Sequence, residues 1–253
     1  MPDEELSALA DQGRLHEPAV LKDQAKRLMA DSRSRALFDG FGAQWLGLSK
    51  LAEINPEPSL FPYASGAGDL REDFQTEIAL FMDDIFRGDK SVMDLVSSRT
   101  TFVNERLALH YDINTVRGDQ FRRIELKDSQ RWGLLGKGGF LAVTWTQNFR
   151  SSPVKRGVWV LENILGTPPP EPPPNVPALD DSKMSANLTM RQRLAAHRKN
   201  AICATCHGTI DPVGFSLENY NAVGQWRDFE VDGSRVDASG AAPGSGALNG
   251  VDG

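Results

Sequence analysis

The residues with the most specific chemistry in this sequence form one short segment, Cys203-Ala204-Thr205-Cys206-His207. This segment contains both cysteines of the 253-residue chain. On a helix, positions i, i+3 and i+4 share one face. Two thiols on that face can each add to a vinyl group of one porphyrin, while the imidazole binds its iron from the same side. The spacing therefore predicts one covalently bound haem c, with thioethers at Cys203 and Cys206 and with His207 as the proximal iron ligand.

Three other uses of a cysteine pair stay open at this point. A structural zinc site needs about four ligands, and the chain has no second cysteine pair and only scattered further histidines, His16, His110 and His197. A thioredoxin-like redox pair follows a strand in a βαβ unit, whereas a charged helical segment precedes Cys203. A disulfide or an inert pair of thiols is the third use. Haem attachment is favoured because it accounts for His207 as well as for the cysteines.

The ligand on the other side of the iron is not determined by the motif. No Met or His follows His207 in the chain, so the candidates within it are Met184, Met190 and His197. Met190 and His197 share one helical face with Leu194, although this face is equally suited to the core. An open or water-bound sixth position, or a ligand from residues absent here, is the remaining alternative.

After the motif, aromatic and apolar side chains are spaced so that they can cover a porphyrin edge. The Trp226 N–H and the Arg227 guanidinium are candidate donors to a haem propionate. Ordinary packing and a solvated arginine are the alternative interpretation. No pair of carboxylates, serine motif or phosphate-binding loop indicates a catalytic residue, so we assign none.

The elements that must position this site are predicted to be helices in most of the chain. Apolar residues recur at helical spacing over 18–30, where Leu21 and Leu28 share a face, and again from residue 37. The best-defined helix begins after Asp69 and ends near Arg87. Its apolar stripe consists of Leu70, Phe74, Ile78, Phe81, Met82 and Ile85. Shorter helices are predicted around Val92–Val96 and Phe102–Tyr111.

The second half of the chain is less regular. The segment from Arg122 is predicted to be a strand or an extended loop, and 131–145 to be a helix. Ser152 and Pro153 open a helix that Gly166 ends, and Thr189 opens another. Asp211-Pro212 and Gly214-Phe215 are expected to turn the chain after the motif. Seven of the fifteen prolines lie in 167–177, which predicts a stiff polyproline strap over 167–178.

Composition excludes several classes of protein. Hydrophobic residues make up 40% and charged residues 25% of the chain, as in ordinary globular proteins. The net charge of −6 argues against broad binding to nucleic acid. No apolar run reaches the roughly 18–20 residues of a membrane span, and the acidic start does not have the pattern of a signal peptide.

Three segments carry a resemblance to a known family: RTTFVNERLALHYDI, SSPVKRGVWVLENILGTPPPEPPPNVP and RQRLAAHRKNAICATCHGTIDPVGFSLENYNAVGQWR. Together they resemble the planctomycete-type cytochrome c proteins, which are large multidomain bacterial proteins. The resemblance implies a helical domain of uncharacterised function followed by a cytochrome-c domain with covalent haem at Cys203, Cys206 and His207. In relatives further domains lie on both sides, so we expect this chain to be a fragment with an incomplete C-terminus.

These observations predict a mostly α protein. We expect a helical domain over 1–115 and a cytochrome-c-like haem domain over 116–253. The first domain either packs against the second or is connected to it by the proline-rich strap. The favoured function is electron transfer through haem c with a redox partner protein, in the periplasm or at the cell surface, alongside the other domains of the full-length chain. The alternatives are a haem-dependent oxidoreductase of peroxidase or oxidase type with an open sixth iron site, and a surface binding scaffold.

Overall fold

Helices make up most of the regular structure, which confirms the mostly α fold class. The computed structural model describes residues 2–55, 58, 68–145, 151–171, 188–230 and 232–252. Within this part, no helix combines the length and the apolar character needed to cross a membrane. The helices are α1 (Glu4–Asp11), α2 (Pro18–Ala30), α3 (Ala43–Trp45), α4 (Leu70–Phe86), α5 (Asp94–Ser97), α6 (Glu105–His110), α7 (Gly138–Val143), α8 (Pro153–Asn163), α9 (Met190–His197) and α10 (Ala201–Phe215).

The N-terminal helix pair is held mainly by polar contacts. α2 has the predicted bounds, but Leu21 and Leu28 on its apolar face are 55% and 37% exposed. The Arg27 guanidinium donates two hydrogen bonds to the Asp3 carboxylate, at 2.7 and 2.9 Å, and so joins α2 to the start of α1. The apolar face predicted from the sequence therefore lies on the surface of the described structure.

α4 is the central helix of the first half. Asp69 caps it, because the Asp69 carboxylate accepts a hydrogen bond from the Arg71 N–H at 2.9 Å. All six residues of the predicted apolar stripe are 3% exposed or less. The prediction for this helix is confirmed because a long amphipathic pattern with a cap at one end is a strong sequence signal.

Two small antiparallel sheets interrupt the helices. β1 (Thr100–Val103) pairs with β2 (Arg122–Glu125), in a register that places Thr101 opposite Ile124. β3 (Ser239–Ala241) pairs with β4 (Ala247–Asn249), with Gly240 opposite Leu248. The predicted helix over Phe102–Tyr111 was therefore wrong at its start: the β-branched residues before Asn104 form a strand. Asn104 then caps α6, and its side chain accepts from the Leu107 N–H at 2.9 Å.

The helix predicted over 131–145 is reduced to α7. Gly133 has a φ of +57° and lies against the Val96 backbone, where a Cβ would be 2.2 Å from the carbonyl oxygen. A left-handed residue in such close contact ends any helix at this point. The chain therefore makes a tight loop before α7 begins.

One hydrophobic core includes residues from both predicted domains. α7 packs on α4 so closely that a Cβ on Gly139 would lie 2.6 Å from Ile78 Cδ1. Leu134 and Ala142 belong to the same buried cluster as α4. Segments 1–115 and 116–253 thus pack against each other directly. Of the predicted strap, 167–171 are described, and the rest lies outside the described residues.

A buried polar cluster lies in this shared core. The Glu77 carboxylate accepts from Thr101 Oγ1 at 2.5 Å and from the Tyr111 hydroxyl at 2.6 Å, and Lys137 Nζ donates to the Arg131 carbonyl at 2.9 Å. Burial raises the pKa of Glu77 and lowers the pKa of Lys137 to about 8. The Glu77 bonds link α4 to β1 and to the end of α6, and the Lys137 bond closes the loop before α7, through hydrogen bonds that a purely apolar core would lack.

α8 and α10 form the second core, and their crossing positions the Cys203–His207 segment. A Cβ on Gly157 would lie 2.2 Å from the Ile210 carbonyl oxygen, and one on Gly214 would lie 1.8 Å from that of Pro153. Only glycine allows two helix backbones to approach so closely. The C-terminal half of α10 is therefore fixed against α8.

The chain does not turn at Asp211-Pro212, and this prediction was wrong. α10 continues through Pro212 to Phe215. An internal proline removes one helical hydrogen bond at a cost of about 3 kcal/mol. Burial of Ile210, Val213 and Phe215, each 6% exposed or less, offsets that cost.

Candidate functional site

The motif occupies the first two turns of α10. Thr189, the predicted start of α9, forms a capping box with Gln192. A short turn follows, in which the Asn200 side chain accepts from the Ile202 N–H at 2.9 Å and caps α10. Cys203 is thus the third residue of a 15-residue helix whose other end is packed.

The three motif side chains share one face of α10. Cys203, Cys206 and His207 are all partly exposed, and both cysteines are free thiols. Cys206 packs at the edge of the second core, while the neighbouring Ile202 is 65% exposed. The predicted residues therefore lie together at the protein surface.

Asp211 is the partner of His207, and the sequence analysis missed it. His207 Nδ1 lies 2.8 Å from Asp211 Oδ1, one helical turn further along α10. Since a carboxylate only accepts, Nδ1 carries the proton and Nε2 is the nitrogen left for a metal. The i, i+4 spacing of His and Asp in one helix was the available signal, but the predicted turn at Asp211 concealed it.

Asp211 is fully buried and has a second charged neighbour. Arg198 Nε lies 3.6 Å from Asp211 Oδ2. Burial raises the pKa of Asp211, whereas the His207 hydrogen bond and the charges of His207 and Arg198 oppose the shift. The buried carboxylate is hydrogen-bonded to His207 and has the Arg198 charge beside it, so it holds the imidazole ring in one orientation.

His197 lies beside His207. The two ring centroids are 4.9 Å apart in an edge-to-face arrangement. Burial, followed by the effect of His207, lowers the pKa of His197. Two imidazoles in direct contact leave no space for a porphyrin between them, so in this arrangement His197 supports the His207 ring.

Met190 and Met184 are the other two candidates for the sixth iron ligand, and only Met190 lies within the described residues. Met190 is partly buried at the first position of α9, and Leu194 on the same face is buried. Met184 lies outside the described residues. The sixth ligand stays a prediction.

Trp226 and Arg227 follow α10 in a loop that folds back on it. Trp226 Nε1 donates to Asp228 Oδ1 at 3.1 Å, and its ring stands edge-to-face on Tyr220, with centroids 5.3 Å apart. Arg227 Nη1 donates to Glu230 Oε2 at 2.6 Å. Trp226 flanks the same second core as Cys206. The structure thus gives both predicted propionate donors partners within the protein.

A buried ion network fixes that loop. Arg156 on α8 is 0% exposed and donates to the carbonyls of Leu217 and Tyr220, both at 2.8 Å. Glu218, 3% exposed, lies 3.5 Å from Arg156 and 3.1 Å from Arg227. Burial is the main influence on the pKa of Glu218 and raises it. The network was not predicted, because an arginine in an amphipathic helix is indistinguishable in sequence from a solvated one.

Nothing in the described structure adds further metal ligands to the motif. Over these residues, no group of three or more His, Cys, Asp or Glu side chains is arranged to hold a metal ion. A zinc site at Cys203 and Cys206 would thus have to recruit ligands from elsewhere.

Two family models match the chain, one after the other. Residues 1–113 match PSD4, described as a protein of unknown function (DUF1592). Residues 131–230, which include the motif, match PSCyt3, described as a protein of unknown function (DUF1588). No curated protein and no solved structure matches the chain. Over most of its length, the chain is therefore similar to these two families arranged in tandem.

Proposed function

We propose that α10 carries one covalently attached haem c and that the protein transfers single electrons through it. Cys203 and Cys206 form the thioethers, and His207 Nε2 binds the iron. The observation that carries this proposal is the His207–Asp211 hydrogen bond of 2.8 Å, because it commits Nδ1 to the protein and leaves Nε2 as the metal-binding nitrogen. A haem so bound supplies the reversible change in iron oxidation state.

The exposure pattern along α10 supports attachment at this position. Residues 201–209 are exposed or partly exposed, whereas the chain from Ile210 to Phe215 is almost entirely buried. The exposed Ile202 and the partly exposed thiols offer an apolar surface that a porphyrin would cover. An inert pair of thiols would not need an imidazole oriented by a buried carboxylate.

The protein's own contribution would be to orient and tune the axial imidazole. Asp211 accepts the Nδ1 proton, Arg198 balances the carboxylate charge, and His197 holds the ring from the side. The distal side would be filled by Met190 or Met184. We propose that Trp226 and Arg227 bind the propionates, with exchange of their present partners.

Location and partners follow from the cofactor. Haem c is attached outside the cytoplasmic membrane, so we propose a periplasmic or cell-surface protein. A redox partner protein and further domains of a longer chain would exchange electrons with the exposed edge near Cys203.

A haem-dependent oxidoreductase is the second candidate, and one observation favours it. A carboxylate at Nδ1 increases electron donation from the imidazole to the iron, and this suits a site that activates a small ligand at an open sixth position. A high-spin absorption spectrum together with binding of cyanide would favour this candidate. A low-spin spectrum that cyanide does not change would favour the electron carrier.

The experiment is expression of the full chain with a cytochrome c maturation system. We expect haem stain on a denaturing gel and a mass increase equal to one haem. The Cys203→Ser/Cys206→Ser double variant should lose both, whereas Thr205→Ala, a change between the two cysteines, should keep both. A folded protein with no haem stain, or with zinc bound at the cysteines, would contradict the proposal.

A further inference from the structure

A groove on the other side of α8 has features that the haem site does not use. It has a volume of 730 Å³ and lies between the segment 44–53 and the segment formed by α7 and α8. Ligand sites occupy roughly 300–1,000 Å³ and often lie where two structural units meet. Three of the chain's five tryptophans, Trp45, Trp145 and Trp159, line it.

Two of the three indole rings of the groove pack against neighbouring aromatic rings. Trp45 stacks on Phe41, with centroids 5.9 Å apart and planes 12° apart. Trp159 packs against Phe140 at 4.4 Å and lies 6.4 Å from Trp45. All three tryptophans are only partly buried. The groove therefore has an aromatic wall in which all three rings keep part of their surface exposed.

Polar side chains of both signs surround this wall. Lys50, Glu53, Lys155 and Glu162 are exposed at the groove, and Lys155 Nζ donates to the Trp145 carbonyl at 2.8 Å. Among the residues that the structure describes, these two positive and two negative charges balance, so they do not favour a phosphate or a cation. Its rim nevertheless provides both hydrogen-bond donors and acceptors.

We propose that this groove binds a neutral oligosaccharide. A sugar ring has apolar C–H faces that stack on indole rings, and hydroxyls around its edge that bond to carboxylates, amides and ammonium groups. An apolar peptide could pack on the same rings but would form no hydrogen bonds with the rim, whereas a sugar does both. This proposal does not depend on haem at α10, because it involves a different set of residues.

The test is affinity electrophoresis of the full chain, expressed with a maturation system, in native gels that contain a soluble neutral polysaccharide. The probes are hydroxyethyl cellulose, glucomannan and xylan, with polygalacturonate as an anionic probe. We expect retardation by at least one neutral probe and none by polygalacturonate. Calorimetry with the hexasaccharide of the retarding polymer then gives the affinity.

Variants identify the surface that binds. Trp145→Ala should weaken binding at least tenfold, and Glu53→Ala with Glu162→Ala at the exposed rim should weaken it while leaving the fold intact. Phe229→Ala, which removes a 55% exposed aromatic ring elsewhere, is the matched control and should bind normally. The proposal would be overturned if no neutral probe retards the protein, or if the rim variant and the wild type are retarded equally. Self-association that the groove variants abolish would also overturn it.

Discussion

Replacing Asp211 with asparagine tests the central geometry of the site. The amide oxygen of Asp211→Asn can still accept the His207 Nδ1 proton at about the same position, so the fold and the ring orientation should persist. What is lost is the negative charge beside the axial ligand. That charge stabilises the oxidised iron more than the reduced iron, so the variant should have the higher reduction potential.

The magnitude follows from the hydrogen bond. A bond to a charged acceptor contributes about 1.5–3 kcal/mol and one between neutral groups about 0.5–1.5 kcal/mol. The difference is about 1.4 kcal/mol. If the bond gains this charge-assisted part only when the iron is oxidised, the effect is a tenfold change in an equilibrium constant, or ~59 mV for one electron. Because Asp211 is buried, solvent should not screen this effect away.

The assay is an optical redox titration of haem-loaded wild type, Asp211→Asn and Asp232→Asn. Asp232 is the control, because its carboxylate is exposed and bonds to Ser234. We expect a rise of about 60 mV for the first variant and no change for the second. Equal potentials in all three loaded proteins would refute the role assigned to Asp211, while absence of haem would instead count against the attachment itself.

Three further predictions concern stability, measured as the free energy of unfolding in urea. Gly214→Ala should lose about 1–3 kcal/mol through overpacking against α8. Gly208→Ala in the same helix has open space at its Cβ, so it should be neutral or up to about 1 kcal/mol more stable. Equal effects of the two variants would contradict the close contact between α8 and α10. Burial lowers the pKa of His110 from 6.5 to about 4, so the unfolded state binds more protons than the folded state between these pH values. The wild type should therefore lose about 3 kcal/mol of stability as the pH falls through this window. His110→Gln should lack this loss, and the same pH dependence of stability in both proteins would contradict the prediction. Lys137→Met should cost about 3 kcal/mol because it removes a buried positive charge that acts on Glu77. Adding Glu77→Gln should recover part of that loss, and strictly additive effects would show that the two groups do not interact.

The parts of the fold predicted correctly are those with strong local signals. α4 combines a long apolar stripe with a cap, and α8 and α9 have N-caps that the structure confirms. The errors arose where tertiary contacts override local preference. The strand before Asn104 exists because β2 pairs with it, and Pro212 stays within α10 because its neighbours are buried.

The candidate site was only partly predictable. Its three core residues are adjacent in sequence, so the motif shows them together. Asp211 was missed because a wrong turn prediction separated it from His207. The Arg156 network and the tryptophan groove join residues that lie 60 to 115 positions apart, and no local pattern in a single sequence reports such contacts.

The C-terminal half of α10 is packed and its N-terminal half is exposed, and this difference has a consequence for biogenesis. The closely packed half is fixed by the approaches of Gly157 to Ile210 and of Gly214 to Pro153, which do not involve the thiols, and only Cys206 of the two cysteines packs at the edge of the same core. If α10 carries haem as we propose, the polypeptide can complete its interior before the porphyrin is attached. In that case, unlike a chain that collapses around its prosthetic group, it should accumulate as a folded precursor with free cysteines.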